Sequence, residues 1–247
     1  MIKLSVNVNK VATVRNSRGG SVPSVLEAVR VCVSAGAPGI TVHPRADERH
    51  VTPGDVRDIA TELRTRHAGV EFNIEGDPRP DLLALVHEVR PDQCTLVPVV
   101  PGEITSQAGW TAANATDRLG DVIAELKAAG IRVSLFVDPE VEPIRWAASL
   151  GADRVELYTE PYATAWHQGP TPRAQSGEVY AAAARVAHEC GLGVNAGHDL
   201  DLDNLVLFRE IPFLDEVSIG HALISRAIFV GLGRVVREYL DALRGPG

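Results

Sequence analysis

The sequence predicts a closed (β/α)8 barrel formed by one domain, residues 1–247. Three observations carry that reading. Short runs rich in Val, Ile and Leu alternate from end to end with segments of helical periodicity. The length of 247 residues suits one such barrel. Most tellingly, the apolar runs end on residues that do chemistry rather than packing. "SVNVNK" closes on Asn7, Asn9 and Lys10, "GITVHPR" on His43 and Arg45, and "VEFNIEGD" on Glu75. "DRVELYTE" closes on Glu156, "LGVNAGHD" on His198, and "DEVSIGHA" on Gly220 and His221. When parallel strands alternate with helices, these ends share one face, and barrel active sites sit there. The competing architecture is an open doubly wound sheet. Against it, no G-x-G-x-x-G follows the first run, and "NSRGGS" lacks that spacing.

The elements follow in order. Lys3–Val8 is the first expected strand, and Val22–Ala35 its helix, with Gly36 suited to the turn past the helix end. Gly39–Val42 is the second strand. Pro53–Arg66 follows it as a helix, with Thr52 as N-cap and proline at the first helical position. Glu71–Ile74 pairs with Pro80–Val89, Cys94–Val97 with Asp117–Ala129, and Arg132–Val137 with Pro143–Leu150. Gly130 and Gly151 close the last two helices. Arg154–Leu157 is the sixth strand. The stretch after it, Thr159–Gly177, is the densest in Pro and Gly and reads as a long βα loop, the kind used for lids or subunit contacts. Gly177–Cys190 is its helix, ended by Gly191. Gly193–Asn195 with Asp201–Glu210, and Glu216–Ile219 with Ala222–Leu243, complete the barrel. The strands are short and β-branched, as expected of strands buried on both faces.

Composition narrows the function. With 45% hydrophobic and 23% charged residues the chain is ordinary globular protein, able to bury a large core unaided. A net charge of −8 argues against nucleic-acid or anionic-membrane partners. It leaves room for phosphate ligands, because the strand ends are locally rich in Arg and Lys. Cys32, Cys94 and Cys190 fit neither a disulfide framework nor a zinc spacing, which suggests reduced thiols in the cytoplasm. The start "MIKLSVNVNK" lacks a signal-type apolar region, and no run is long enough to span a bilayer.

The polar strand ends suggest proton transfer on an anionic substrate. His43 and Arg45 emerge directly from an apolar strand. His titrates near neutrality, and Arg offers a planar donor fork to phosphate. Asp47 and Glu48 read as solvated loop charges. Glu75 and Glu156 could be general bases, or could simply pair with Arg132 or Arg154. His198 and His221 follow Gly197 and Gly220, which permit close backbone approach. The Gly220-His221 turn opens the last helix, whose first N–H groups suit a phosphate. Asn7 and Asn9 either tie the rim together or bind ligand oxygens. Lys10 could form a Schiff base with a carbonyl substrate. A metal held by His43, His198, His221, Glu75 and Glu156 is the rival reading. However, neither a His-x-His pair nor H-E-x-x-H spacing is present.

Taken in order, "NVNKVATVRNSRGG", "GITVHPRADERHVT", "NIE", "DQCTLVP", "EITSQAGW", "VSLFVDP", "GADRVELYTEPYA", "VNAGHDLDLDN" and "EVSIGHALISRAIFVGL" resemble the motifs of the pyridoxine 5′-phosphate synthase family. The resemblance runs from Leu4 to about Leu232. It implies a (β/α)8 barrel with extra helices, assembled as a homo-octamer. The implied reaction condenses 1-deoxy-D-xylulose 5-phosphate with 3-amino-2-oxopropyl phosphate, giving pyridoxine 5′-phosphate, phosphate and water. No metal or organic cofactor is implied. His43 and Glu75 would be general bases, His198 the general acid, and Glu156 a transition-state stabiliser. Asn7, Arg18, Gly220 and His221, with the backbone at Asp199, would hold the aminoketone phosphate. Arg45, His50 and Thr105 would hold the pentulose phosphate, with Asn9 and Lys10 beside them. Several positions depart from the commoner pattern, as in a divergent branch. That pattern has Asp and His at Asn9 and Lys10, Glu-Lys-Arg at Val99-Val100-Pro101, His-Thr-Gly at Tyr158-Thr159-Glu160, and Gly at Asp199. For quaternary contacts, the apolar tail around Ala227–Leu232 and the residues Trp110, Trp146 and Trp166 permit an interface.

Overall fold

Eight parallel strands close into a barrel in sequence order, each hydrogen-bonded to the next and the last to the first. The structure is a computed structural model that describes residues 1–99 and 108–245. Thr105 and the Val100-Pro101 pair lie outside the described residues. The strands are β1 (Lys3–Asn7), β2 (Gly39–Val42), β3 (Glu71–Gly76), β4 (Gln93–Leu96), β5 (Arg132–Val137), β6 (Arg154–Leu157), β7 (Gly193–Ala196) and β8 (Leu214–Ile219). Each matches an expected strand to within two residues.

The helices are α1 (Asn9–Asn16), α2 (Val25–Ser34), α3 (Pro53–Arg66), α4 (Pro80–Val89), α5 (Leu119–Ala128) and α6 (Val141–Ser149). They continue with α7 (Glu160–Gln168), α8 (Pro170–Glu189), α9 (Leu205–Phe208), α10 (His221–Val230) and α11 (Leu232–Arg244). At α3 the expected start is present as a full capping box between Thr52 and Asp55, a device worth about 1 kcal/mol.

Four expectations are corrected. First, α1 was not anticipated, because "NKVATVRN" has weak helix formers and follows a strand without a break. It is anchored by burying Val11 and Ala12. Second, Thr159–Gly177 is not a loop. Its prolines sit in the first turns of α7 and α8, where a missing N–H costs nothing, and Gly169 at φ +117° makes the bend between them. Tyr162, Tyr180 and Phe208 lock these helices onto α9, with ring centroids 4.9–5.7 Å apart. Third, the single helix expected over Ala222–Leu243 divides at Gly231, where φ is +91°. Fourth, Trp110 offers nothing to an interface. It is buried, and its indole N–H donates to the Leu96 carbonyl at 3.0 Å.

The strands are buried on both faces, but only one face is apolar. Leu4, Val6, Ile40, Val42, Phe72, Ile74, Cys94 and Leu96 alternate with Ser5, Thr41, Asn73 and Thr95. The polar set shares the barrel interior and is hydrogen-bonded across strands. Ser5 and Thr41 hydroxyls lie 2.6 Å apart, Asn73 donates to Thr41 at 3.4 Å, and Thr95 donates to Asn73 at 3.0 Å. Lower in the barrel, Arg132 donates to Gln93 at 2.8 Å and Arg154 to Asn195 at 3.0 Å. Buried polar groups are tolerated when paired in this way. Three aspartates repeat a second device. Asp92, Asp153 and Asp215 accept the strand-start N–H groups of Phe72, Val133 and Val194 at 2.8–3.0 Å. Among the described residues, no helix is long and apolar enough to cross a membrane.

Candidate active site

At the C-terminal end of the barrel a cavity of about 290 Å³ gathers twelve of the fourteen expected site residues. Asn7, Asn9, Lys10, His43, Arg45, His50, Glu75, Glu156, His198, Asp199, Gly220 and His221 all line it. Of the other two, Arg18 is exposed after α1 and does not line the cavity, and Thr105 falls outside the described residues. Val97, Phe136 and Ser218 also line it and were not anticipated. The period of two along β5 and β8 places Phe136 on the face of Ser134, and Ser218 on that of Glu216. Strand alternation was therefore the signal that could have found them.

The rim is built from β1 outward. The backbone N–H of His43 donates to Asn9 Oδ1 at 2.9 Å, and that of Asn9 to Asn7 Oδ1 at 3.1 Å. Asn7 Nδ2 in turn donates to Glu75 Oε2 at 3.4 Å. The asparagines thus tie three strand ends together and also face the cavity. The segment after β2 is held from two sides. Asn16 of α1 donates to the carbonyls of Glu48 and His50 at 3.1 and 2.8 Å, and Arg79 donates to that of Pro44 at 2.6 Å. Asp47 and Glu48 are exposed, as solvated loop charges should be.

His43 and Glu75 are both buried, with His43 Nδ1 3.8 Å from Glu75 Oε2. His43 Nε2 has no hydrogen-bond partner among the described residues. Burial pushes the His43 imidazole well below its ordinary 6.5, and Arg45, His50, Arg79 and His198 push the same way. It is therefore neutral at physiological pH and able to accept a proton. Burial pushes the Glu75 carboxyl up to about 7. His198, Arg45 and the Ser218 hydroxyl draw it back, while Glu216 adds to the rise. Such a group is poised for proton exchange near neutrality. Glu156 is raised well above the ordinary carboxyl range, by burial first and then by Glu75 and Glu216. Its Oε2 is buried without a hydrogen-bond partner among the described residues.

Neither carboxyl is tied up by the arginines that offered a purely structural explanation. Arg132 pairs with Glu71, while Arg154 bonds Asn195 and lies 4.0 Å from Glu216. Lys10 and Arg45 bring positive charge to the same cavity, with His50 beside them. Burial, then Lys10, Arg45 and Arg49, push His50 down to about 4, against the pull of Asp47. A neutral imidazole among fixed cations suits a phosphate group.

Gly197 is required by its neighbours, and Gly220 is tightly packed against Asn7. A Cβ on Gly197, at φ +155°, would lie 2.0 Å from the Ser218 carbonyl oxygen, and one on Gly220 would lie 3.1 Å from Asn7 Cβ. The close approach is therefore between strand ends. Gly220 also opens α10 beside His221, so that helix's first N–H groups meet the cavity. His198 Nδ1 lies 2.8 Å from Asp199 Oδ2. Among the described residues no group of three His, Cys, Asp or Glu side chains is placed to hold a metal ion. The arrangement can take up, hold and release protons beside a bound anion.

Comparison with known proteins places this geometry. The family profile described as pyridoxal phosphate biosynthesis protein PdxJ matches residues 4–245. The chain is 54% identical over 245 residues to the pyridoxine 5′-phosphate synthase of Bacteroides fragilis, covering 99% of this chain and 100% of that one. It is 51% identical over 244 residues to the pyridoxine 5′-phosphate synthase of Porphyromonas gingivalis, covering 98% and 99%. Among solved structures, phosphoribosyl anthranilate isomerase from Thermotoga maritima superposes with a TM-score of 0.63 at 13% identity, covering 100% of both chains. That likeness concerns the barrel fold alone.

Proposed function

We infer the chemistry of this pocket from one premise: the chain belongs to the PdxJ family of pyridoxal phosphate biosynthesis proteins. It is an enzyme that condenses 1-deoxy-D-xylulose 5-phosphate with 3-amino-2-oxopropyl phosphate to form pyridoxine 5′-phosphate, phosphate and water. The observation that carries this assignment to the cavity is the convergence of His43, Glu75, Glu156 and His198 on one cavity with Lys10, Arg45 and His50.

Imine formation, phosphate elimination, enol addition, ring closure and dehydration are successive proton transfers between anionic partners. Neutral His43, and Glu75 with its proton affinity raised toward neutrality, remove protons at the reacting carbons and amine. His198, nearer the mouth, delivers protons to departing oxygens. Protonated Glu156 donates a hydrogen bond to oxygen charge that builds during addition. Lys10, Arg45 and His50 hold the pentulose phosphate. Asn7, Gly220, His221 and the backbone at Asp199 hold the aminoketone phosphate. Arg18 and Thr105 join these two groups on the strength of the resemblance alone.

Homo-octameric assembly and a cytoplasmic location belong to the same proposal. Ile228 and Phe229 on α10 are 71% and 86% exposed, a large apolar surface for a lone subunit and a natural one for a subunit contact. The cysteines Cys32, Cys94 and Cys190 are all free thiols, in keeping with a reducing compartment.

The test is to incubate the protein with both phosphates in the presence of a chelator, following pyridoxine 5′-phosphate by absorbance and mass. Product is expected, at a rate the chelator does not change. Binding of either phosphate without product would overturn the assignment.

A further inference from the structure

We propose that Asp199 is a positioning residue that fixes the tautomer and direction of the His198 imidazole, so that His198 exchanges protons with the substrate through Nε2. The inference deepens the synthase reading, on which it relies only for the role of His198.

The first observation is the contact itself. His198 Nδ1 and Asp199 Oδ2 are 2.8 Å apart, a charge-assisted distance, between side chains of adjacent residues. The hydrogen bond made by one ring nitrogen decides which nitrogen carries the proton in neutral imidazole. A carboxylate can only accept here, so Nδ1 is the protonated nitrogen. Nε2 is then the atom that takes up and returns protons. The same division of labour orients the histidine of Ser-His-Asp triads.

The second observation is how firmly Asp199 is held. Its N–H donates to Thr159 Oγ1 at 3.3 Å, and its carbonyl accepts from Asn204 Nδ2 at 3.2 Å. Thr159 and Asn204 are fully buried. Asn204 is itself locked by two bonds with Asp201, each 2.9 Å, and Tyr162 donates to its carbonyl at 3.3 Å. On the other side of His198, Gly197 is pressed against the Ser218 backbone. The dipeptide is thus clamped at both ends while its side chains face the cavity. Electrostatics points the same way. A bare carboxylate would oppose anionic substrates, whereas one engaged with an imidazole N–H has a partner for its charge.

The test combines two readouts on the full-length protein. With selectively nitrogen-labelled histidine, NMR of the ligand-free protein reports the tautomer of His198, identified by its loss in His198→Gln. The Nδ1–H form is expected in the natural protein. Asp199→Ala removes the acceptor, and Asp199→Asn keeps its shape without the charge. Both should shift His198 toward the Nε2–H form. Both should lower kcat by about 10–100-fold, less than the roughly 10²–10⁴-fold of a lost acid/base group, and move KM by less than about threefold. Thermal melts of the two variants identify any that fails to fold, and the tautomer of the natural protein decides the matter without them. An Nε2–H form in the natural protein, or unchanged kcat in folded variants, would overturn the proposal. So would a change confined to KM, which would make Asp199 a substrate contact only. Failure of the synthase reading looks different: the natural protein makes no pyridoxine 5′-phosphate while its His198 tautomer stays readable.

Discussion

Replacing Glu75 by glutamine should stabilise the protein while disabling it. The carboxyl is buried and its pKa stands at about 7 in place of 4.5. At about 1.4 kcal/mol per tenfold change in proton affinity, holding it ionised in the folded barrel costs about 3 kcal/mol. The sign follows from linkage. Below pH 4.5 both folded and unfolded chains carry the proton, and no penalty exists. As the pH rises from 4.5 to about 7 the unfolded chain releases the proton and the folded one keeps it, so stability falls. Above about 7 both are ionised and the full penalty is present. Glutamine removes the charge yet still offers an oxygen to Asn7 Nδ2, now 3.4 Å from Glu75 Oε2. The variant should therefore melt higher than the natural protein by on the order of 5–10 °C at about pH 8, with the gap closing as the pH falls toward 4.5. Its kcat should fall by about 10²–10⁴-fold, the span of a lost general base. Calorimetry at both pH values and at one protein concentration, with the product assay alongside, checks both halves. A lower melting temperature near pH 8, or a gap that does not change with pH, would refute the burial argument.

Other outcomes follow from the same geometry. In the natural protein kcat/KM should rise with pH through about 7, where Glu75 ionises, and a profile flat across that range would remove Glu75 as the base. His43→Ala should lower kcat by at least about 100-fold without moving that limb, because His43 is already neutral there. Unchanged activity would sink its assignment as a base. Lys10→Ala should raise KM for the pentulose phosphate about tenfold, and borohydride should trap no substrate on Lys10 in the natural protein. A trapped adduct would move the chemistry to a Schiff base. Gly197→Ala should cost at least about 3 kcal/mol in urea unfolding, since its Cβ would collide with Ser218. A near-neutral result would mean that β7 and β8 can separate there.

The sequence revealed which residues line the cavity more faithfully than the helices around it. His43, Glu75, Glu156, His198 and Gly220 were legible because each lies at the end of a short strand-like segment, and parallel strands bring such ends to one face. Strand register does the convergence, and register is local information. The missed elements depend on partners remote in sequence. α1 has poor intrinsic helix formers, and it is held by contacts such as the two bonds from Arg15 to Asp55, 2.5 and 2.8 Å long. α7 is pinned by Tyr162 against Tyr180 and Phe208, the latter more than forty residues away. Its Pro and Gly content suggested a loop because composition does not distinguish a proline that begins a helix from one that breaks it. Arg18 illustrates the opposite limit. The motif around it is recognisable, but the side chain is exposed after α1 and does not line the cavity.

The polar barrel interior explains why the site's unusual protonation states can be maintained. Glu75, Glu156 and Glu216 all lie inside one barrel; Glu216 raises the proton affinity of Glu75, and both raise that of Glu156. Were the surrounding layer apolar, all three would stay protonated and no base would exist near pH 7. Hydrogen bonds around Ser5, Thr41, Asn73 and Thr95 supply a polar floor, while Arg154 and Arg132 draw Glu216 toward its charged form. At the mouth, His198 and Arg45 do the same for Glu75. Burial, Glu75 and Glu216 all push the Glu156 carboxyl upward. Two chemically identical side chains on one barrel face thereby sit in different electrostatic surroundings, as the proposed base and hydrogen-bond donor require. Glu156→Gln, which keeps a donor, should therefore cost far less activity than Glu75→Gln. Equal losses in the two variants would show that Glu156 acts through its ionised form.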